Sequence, residues 1–250
     1  MTMIQEPNLL AETLNAEFAA LSPLERLQSL RDKVKGRIVF TTSLGLEDQM
    51  LTHLIFKNNI KIEVVTLDTG RLFPETYHLW QATEEKYGKR IHAKYPKSEA
   101  LENLIEEQGI DGFYYAKEFR LNCCGIRKIE PLGRALEGAS AWVTGLRGDQ
   151  SQNRLGMAFA SYETQKKLIK VNPLLDLSRE KIAHFNDDHG VPINALHAKG
   201  FLSIGCAPCT RAIQPGEPER AGRWWWEDDT KRECGLHVPD RTTVAEGAGI

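Results

Sequence analysis

The first 122 residues contain no cysteine; all five lie between positions 123 and 234 of a 250-residue sequence. Five thiols, an odd number, in a chain this long do not suit a secreted disulfide scaffold and fit a reducing cytoplasm. No run of roughly eighteen apolar residues occurs, so no membrane span is offered. The opening Met1-Thr2-Met3-Ile4-Gln5-Glu6 lacks a basic stretch followed by an apolar one and does not read as a secretory signal. Charge of neither sign dominates: the formal net charge is −2. Net charge therefore argues neither for nor against an anionic ligand, and a basic site must be local. No nucleic-acid partner is expected, since a chain built for one would carry a more basic surface. Internal repeats and low-complexity stretches are also missing. What remains is a soluble globular composition, with length for one large domain or one domain plus a tail.

Alternating strand and helix patterns fill the middle of the chain. Residues 8–35 read as two helices: Leu10, Leu14, Phe18 and Leu21 recur at helical spacing, and Ser22-Pro23-Leu24-Glu25 is a capping-box start for a helix through Val34. Arg37 to Thr42 and Lys61 to Leu67 read as buried strands around a helix from Glu47 to Asn58. Helices are expected over Pro74–Tyr87, Ser98–Gly109, Ile129–Leu136 and Ser178–Gly190, and further strands at Arg90–Ala93, Ser140–Gly145 and Leu168–Pro173. The expected fold is α/β, a mostly parallel twisted sheet with helices on both faces. Three stretches are expected: N-terminal helices over 1–35, a nucleotide-binding α/β portion over 36–199, and a tail over 200–250 that returns to the site. Ligands in such sheets bind beyond the C-terminal strand ends.

The cysteines form three clusters: the adjacent Cys123 and Cys124, the C-x-x-C of Cys206 and Cys209, and an isolated Cys234 in Glu233-Cys234-Gly235-Leu236-His237. Four paired thiols suit a zinc or iron–sulfur site. Adjacent side chains point apart, so one small ion would strain the backbone to take both, whereas a cubane offers separate iron corners. The spacing therefore favours a [4Fe–4S] cluster over zinc. A redox C-x-x-C, or buried thiols that merely pack, are the plainer readings. Cys234 would need a lowered pKa to act as a nucleophile, which nearby arginines and a histidine would provide. Its glycine-containing segment reads as an arm rather than a core position.

Three strand ends carry polar motifs. Thr42-Ser43-Leu44-Gly45 joins a strand to a helix and could hold an anion or simply be a turn with a serine N-cap; it lacks the lysine of a P-loop. Leu67-Asp68-Thr69-Gly70 ends the next strand, as a nucleotide contact or as a turn into the following helix. Arg147, after the strand at Trp142, can hold a phosphate bidentately or sit in a solvated loop. Arg220 and Arg223 share a helix face if that stretch is helical and could join Arg147 on an anion. Trp224-Trp225-Trp226 could anchor the tail or stack on a base. Lys128, four residues after Cys124, is either a solvated lysine or a positive charge aimed at a cluster or substrate.

Together these cysteines and the Glu233-Cys234-Gly235-Leu236-His237 tail resemble the assimilatory adenylyl-sulfate reductases of the phosphoadenylyl-sulfate reductase family. The resemblance spans most of the chain and implies an adenine-nucleotide α-hydrolase-like fold. It implies reduction of adenosine 5′-phosphosulfate to sulfite and AMP, in sulfate assimilation toward cysteine, by thioredoxin or a glutaredoxin-like thiol donor. By the same resemblance Cys234 is the nucleophile that forms an S-sulfocysteine. Cys123, Cys124, Cys206 and Cys209 hold the cluster. Ser43, Gly45, Leu67, Asp68, Thr69 and Gly70 take the adenosine, and Lys128, Arg147, Arg220, Arg223 and His237 take the phosphosulfate. A cytoplasmic homo-oligomer with no membrane partner is expected. Family members with the four cysteines mostly use the nucleotide without a 3′-phosphate, though some accept both. One departure stands out: Gly148 follows Arg147 where the family often has a second basic residue, leaving one phosphate contact absent or supplied by Arg154. Competing readings are a nucleotide-transfer or tRNA-thiolating enzyme of the same fold, which would need a Ser-Gly-Gly-x-Asp-Ser loop that is lacking, and a non-catalytic zinc or cluster protein, which would not need Cys234.

Overall fold

The computed structural model describes residues 5–150, 154 and 156–227. Six strands form one sheet in the order β3-β2-β1-β4-β6-β5. They are β1 (Arg37–Thr42), β2 (Glu63–Leu67), β3 (His92–Lys94), β4 (Ala139–Val143), β5 (Ala160–Glu163) and β6 (Leu168–Val171). All neighbours run parallel except β5 and β6. The central strands are apolar on both faces, as burial under helices on each side requires: Ile38, Val39, Phe40, Ala141, Trp142 and Val143 are all buried. The chain runs from β1 outward through β2 to β3, then returns to lay β4 on the other side of β1. Between the C-terminal ends of β1 and β4 the winding reverses, and such a reversal opens a crevice.

Two elements at one sheet edge show how sequence and packing meet. The helix α1 (Gln5–Phe18) buries Ala11, Leu14 and Phe18 at helical spacing. From the same helix Asn15 donates to the Ala160 carbonyl at 2.7 Å and accepts from the Ala160 amide at 2.9 Å, occupying part of the open edge of β5. The next helix, α2 (Pro23–Lys33), starts on the expected capping box, with Ser22 and Glu25 each bonded to the other's backbone amide. β5 is a strand the sequence reading did not contain; it forms a hairpin with β6.

Around the sheet lie α3 (Leu46–Lys57), α4 (Pro74–Tyr87), α5 (Ser98–Gln108), α6 (Lys117–Cys124), α7 (Glu130–Leu136) and α8 (Arg179–Asp188). α4 begins with proline at its first position and ends on Gly88 at φ 61°, a left-handed turn that glycine takes without strain. α6 and α7 are joined by a π-helical stretch, Gly125–Ile129, in which the Glu130 amide reaches back to the Gly125 carbonyl. The helix expected to begin at Ile129 is thus the second half of a longer, irregular helix that starts at Lys117. None of the described helices is long and apolar enough to cross a membrane.

Candidate active site

A cavity of about 200 Å³ opens at the C-terminal ends of β1, β2 and β4, at the reversal of the sheet. Thr42, Ser43 and Gly45 line it from β1, Leu67 and Thr69 from β2, and Thr144 and Gly145 from β4. Lys128 and Leu132 close one side, and Gly205, Glu219, Arg220, Arg223 and Trp224 from the tail close the other. The structure thus brings Ser43, Gly45, Leu67, Thr69, Lys128, Arg220 and Arg223 of the expected substrate contacts around one space. Asp68, Gly70 and Arg147 do not line it.

The β1 turn is already furnished with a carboxylate. Ser43 donates its amide to Asp48 at 2.6 Å and its hydroxyl at 2.7 Å. Asp48 stands in the first turn of α3, so the acid is held by the helix N-terminus and by Ser43 together. Gly45, not Ser43, is the N-cap of α3. Burial pushes the Asp48 carboxyl up to about 6 against the two Ser43 bonds, with Glu47 adding to the rise. Gly145 has to be glycine here, because a Cβ on it would stand 2.1 Å from the Asp48 carboxylate.

At the β2 end, Asp68 shapes the turn. Its Oδ1 accepts from the Gly70 amide at 2.9 Å and from the Tyr77 hydroxyl at 2.8 Å, and Gly70 sits at φ 69°. Thr69 is fully buried, and its carbonyl accepts from Arg127 at 2.6 Å.

Arg147 is buried, but its guanidinium is committed elsewhere. Nε donates to Glu47 at 2.8 Å, Nη1 to Asp149 at 2.5 Å and Nη2 to Glu219 at 2.5 Å. The expected second basic position, Gly148, lies against the Leu175 carbonyl, where a Cβ would approach to 3.1 Å. Arg154 lines the cavity and donates to Gln150.

Cys123 and Cys124 end α6, while Cys206 caps and Cys209 ends a 3₁₀ turn whose Ala207 amide is anchored on the Arg71 carbonyl at 2.7 Å. All four are free thiols. Cys206, Cys209 and Cys123 share an apolar cluster with Phe113, Trp224 and Trp226. Burial pushes the Cys209 thiol up to about 12, with Cys206 adding to the rise, and burial also raises Cys123. Burial would raise Cys206 as well, but Lys128, the Thr69 hydroxyl, Arg223 and Arg127 together hold it below the ordinary thiol value. Among the described residues no three or more His, Cys, Asp or Glu side chains are placed to hold one metal ion.

The tail is pinned by Trp224. This residue is fully buried in a left-handed conformation, φ 46°, with guanidinium carbons of Arg120 at 4.6 Å and Arg223 at 4.7 Å from its ring centroid. Trp226 packs on Tyr114 and Phe113, whereas Trp225 is more exposed. Cys234 and His237 lie outside the described residues.

Residues 37–212 match the model of the phosphoadenosine phosphosulfate reductase domain. The chain belongs to this family. An adenosine 5′-phosphosulfate reductase of Rhizobium meliloti is 55% identical over 83% of this chain and 78% of its own length. One of Allochromatium vinosum is 46% identical over 95% of this chain and 91% of its own. Among solved structures, phosphoadenylyl-sulfate reductase from Candida auris in a phosphate complex superposes with a TM-score of 0.69, at 25% identity, over 81% of this chain and 96% of that one. The family match includes the β1, β2 and β4 ends, Lys128 and all four paired cysteines, and stops before Glu219, Arg220 and Arg223. Glu47, Asp48, His197 and Glu219 line the cavity without having been expected. Glu47-Asp48 could have been read from its place in the helix turn after β1; His197 and Glu219 come from irregular stretches with no pattern to read.

Proposed function

We propose that the chain reduces adenosine 5′-phosphosulfate to sulfite and AMP. The observation that supports this best is the convergence of Lys128, Arg220 and Arg223 on one cavity at the reversal of a nucleotide-binding type of sheet. A phosphosulfate is a multiply charged anion, and an anionic nucleophile reaches it only where fixed cations offset the repulsion. The adenosine occupies the β1 and β2 ends, near Ser43, Gly45 and Leu67 to Gly70.

Cys234 is the nucleophile in this reading, with His237 beside the phosphosulfate. Its thiolate attacks the sulfate sulfur, a sulfur–oxygen bond breaks, and AMP leaves with the electron pair. The S-sulfocysteine then yields sulfite when one thiolate of a thioredoxin-type dithiol attacks the Cys234 sulfur. The second donor thiol resolves the mixed disulfide, so the dithiol supplies both electrons and Cys234 is regenerated.

Cys123, Cys124, Cys206 and Cys209 would hold a [4Fe–4S] cluster. The donor set fits: four free thiols, three of them in one apolar cluster, with Lys128, Arg127 and Arg223 acting on Cys206. A bound cluster would supply a fixed charge and a covalent tie between α6 and the tail, without carrying the electrons. The curated relatives named above are adenosine 5′-phosphosulfate reductases, whereas the solved neighbour is a phosphoadenylyl-sulfate reductase. The unphosphorylated nucleotide is therefore the preferred substrate here, with the 3′-phosphorylated one, or both, as the alternative.

Side-by-side turnover of the two nucleotide sulfates with thioredoxin tests the substrate, and sulfite from neither overturns the reading. Cys234→Ser should abolish sulfite release while anaerobically purified protein keeps about four irons per chain. Wild-type enzyme given substrate without a thiol donor should gain a sulfonate mass on Cys234.

A further inference from the structure

We propose that Arg147 acts as a positioning residue that never touches the phosphosulfate: it ties Glu219 of the tail to Glu47 of α3, and so holds Arg220 and Arg223 at the cavity while neutralising two carboxylates there. The inference rests on the reading of the cavity as a phosphosulfate site.

The geometry leaves Arg147 little else to do. Its side chain is 1% exposed, and Nε, Nη1 and Nη2 each meet a different carboxylate within 2.8 Å. Two of those acids, Glu47 and Glu219, line the cavity; Asp149 is largely solvated. Gln150 donates to Glu47 at 3.1 Å and receives the Arg147 amide at 3.3 Å, so the loop after β4 is folded around this knot. The other oxygen of Glu219 faces Arg179 at 3.6 Å. To bind phosphate, Arg147 would have to surrender a charge-assisted bond made in a buried setting, leaving a carboxylate exposed to an anionic ligand.

The consequence follows from chain position. Glu219 directly precedes Arg220, and Arg223 lies one turn further on. The Arg223 amide closes that turn on the Arg220 carbonyl at 3.0 Å. Fixing Glu219 therefore fixes where both cations project. A link between residues 72 positions apart makes the tail part of the cavity wall.

The test compares wild type with Arg147→Met, Glu219→Gln, the double variant and Arg147→Lys. The readouts are KM and kcat for adenosine 5′-phosphosulfate, and hydrogen exchange over residues 217–224. Arg147→Met should raise KM by about a hundredfold, because it uncovers two carboxylates, each costing about tenfold. Glu219→Gln alone should raise KM by several-fold, because it loosens the segment that carries Arg220 and Arg223, and should speed exchange in 217–224; added to Arg147→Met, where the tie is already lost, it should recover about tenfold in KM. Arg147→Lys keeps the charge but not the fork, so it should speed exchange with a smaller rise in KM. Arg147 as a direct phosphate contact gives the opposite pattern: Glu219→Gln lowers KM in the wild-type background, gives no extra recovery beside Arg147→Met, and leaves exchange unchanged. That pattern would overturn the proposal. Should Arg147→Met fail to fold, Glu219→Gln and Arg147→Lys still decide. Should wild type fail to turn over the nucleotide sulfate, the functional reading falls, and the exchange results alone decide whether the tie exists.

Discussion

The Thr69 hydroxyl lies 3.3 Å from the Cys206 sulfur, so the end of β2 and the C-x-x-C turn touch through a side-chain contact. The same hydroxyl accepts from the Arg71 amide at 3.2 Å, and the Arg71 carbonyl in turn anchors the Ala207 amide. One buried threonine thus joins a wall of the cavity to the seat of the paired cysteines.

Thr69→Val keeps the shape and removes the hydroxyl. The Arg71 amide loses its partner, at a cost of about 1–3 kcal/mol. Iron per chain and visible absorbance after anaerobic purification should both fall relative to wild type, and sulfite formation should fall with them. Unchanged iron content and spectrum would mean the contact does not support the cysteine site.

A second prediction concerns Gly205. A Cβ there would lie 2.0 Å from an Arg223 guanidinium nitrogen. The obstacle is the end of a long side chain, so the fold can yield at little cost while Arg223 is pushed from its place beside the cavity. Gly205→Ala should raise KM by about tenfold, equivalent to losing one moderate ionic contact, and shift the melting temperature by only a few degrees. A large fall in melting temperature with KM unchanged would place Gly205 in the framework instead.

A third concerns Asp48. Its carboxyl is raised from 3.8 to about 6, chiefly by burial. Below pH 3.8 folded and unfolded chains both carry the proton, and the group costs nothing. As pH rises from there to about 6 the unfolded chain ionises first, so stability is lost across that window, by on the order of 3 kcal/mol in all. Asp48→Asn can still accept the two Ser43 bonds. It should flatten the pH dependence of stability between about 4 and 6 and raise stability at pH 7, as read by denaturant midpoints. An identical pH profile in wild type and variant would refute the assignment.

Where the sequence could be read, the reason is local. Proline and glycine punctuate α4 at both ends, Ser22 and Glu25 cap α2 by a reciprocal pair, and β1 and β2 are apolar runs too short for helices. α6 escaped because its buried positions are Arg120 and Cys124, which give hydrophobic periodicity nothing to register. β5 escaped because only Ala160 among its four residues is buried. The site divides the same way. Strand-end motifs mark the cavity, since every parallel strand delivers its C-terminal residues to one edge. What Arg147 binds depends on Glu47 and Glu219, a hundred positions upstream and 72 downstream, and no spacing rule connects them.

The five-residue π stretch between α6 and α7 sets a limit on how this chain can vary in length. Its wide turn lets Arg127 reach the Thr69 carbonyl while its neighbour Lys128 lines the cavity. Loss of one residue between Gly125 and Ile129 would restore an ordinary helical pitch and swing Cys123 and Cys124 by roughly 100° about the axis relative to α7. Both sulfurs would then face away from the C-x-x-C. Insertions and deletions within surface loops can be absorbed, but here a single codon gained or lost would separate the two halves of the thiol site without altering any cysteine in it.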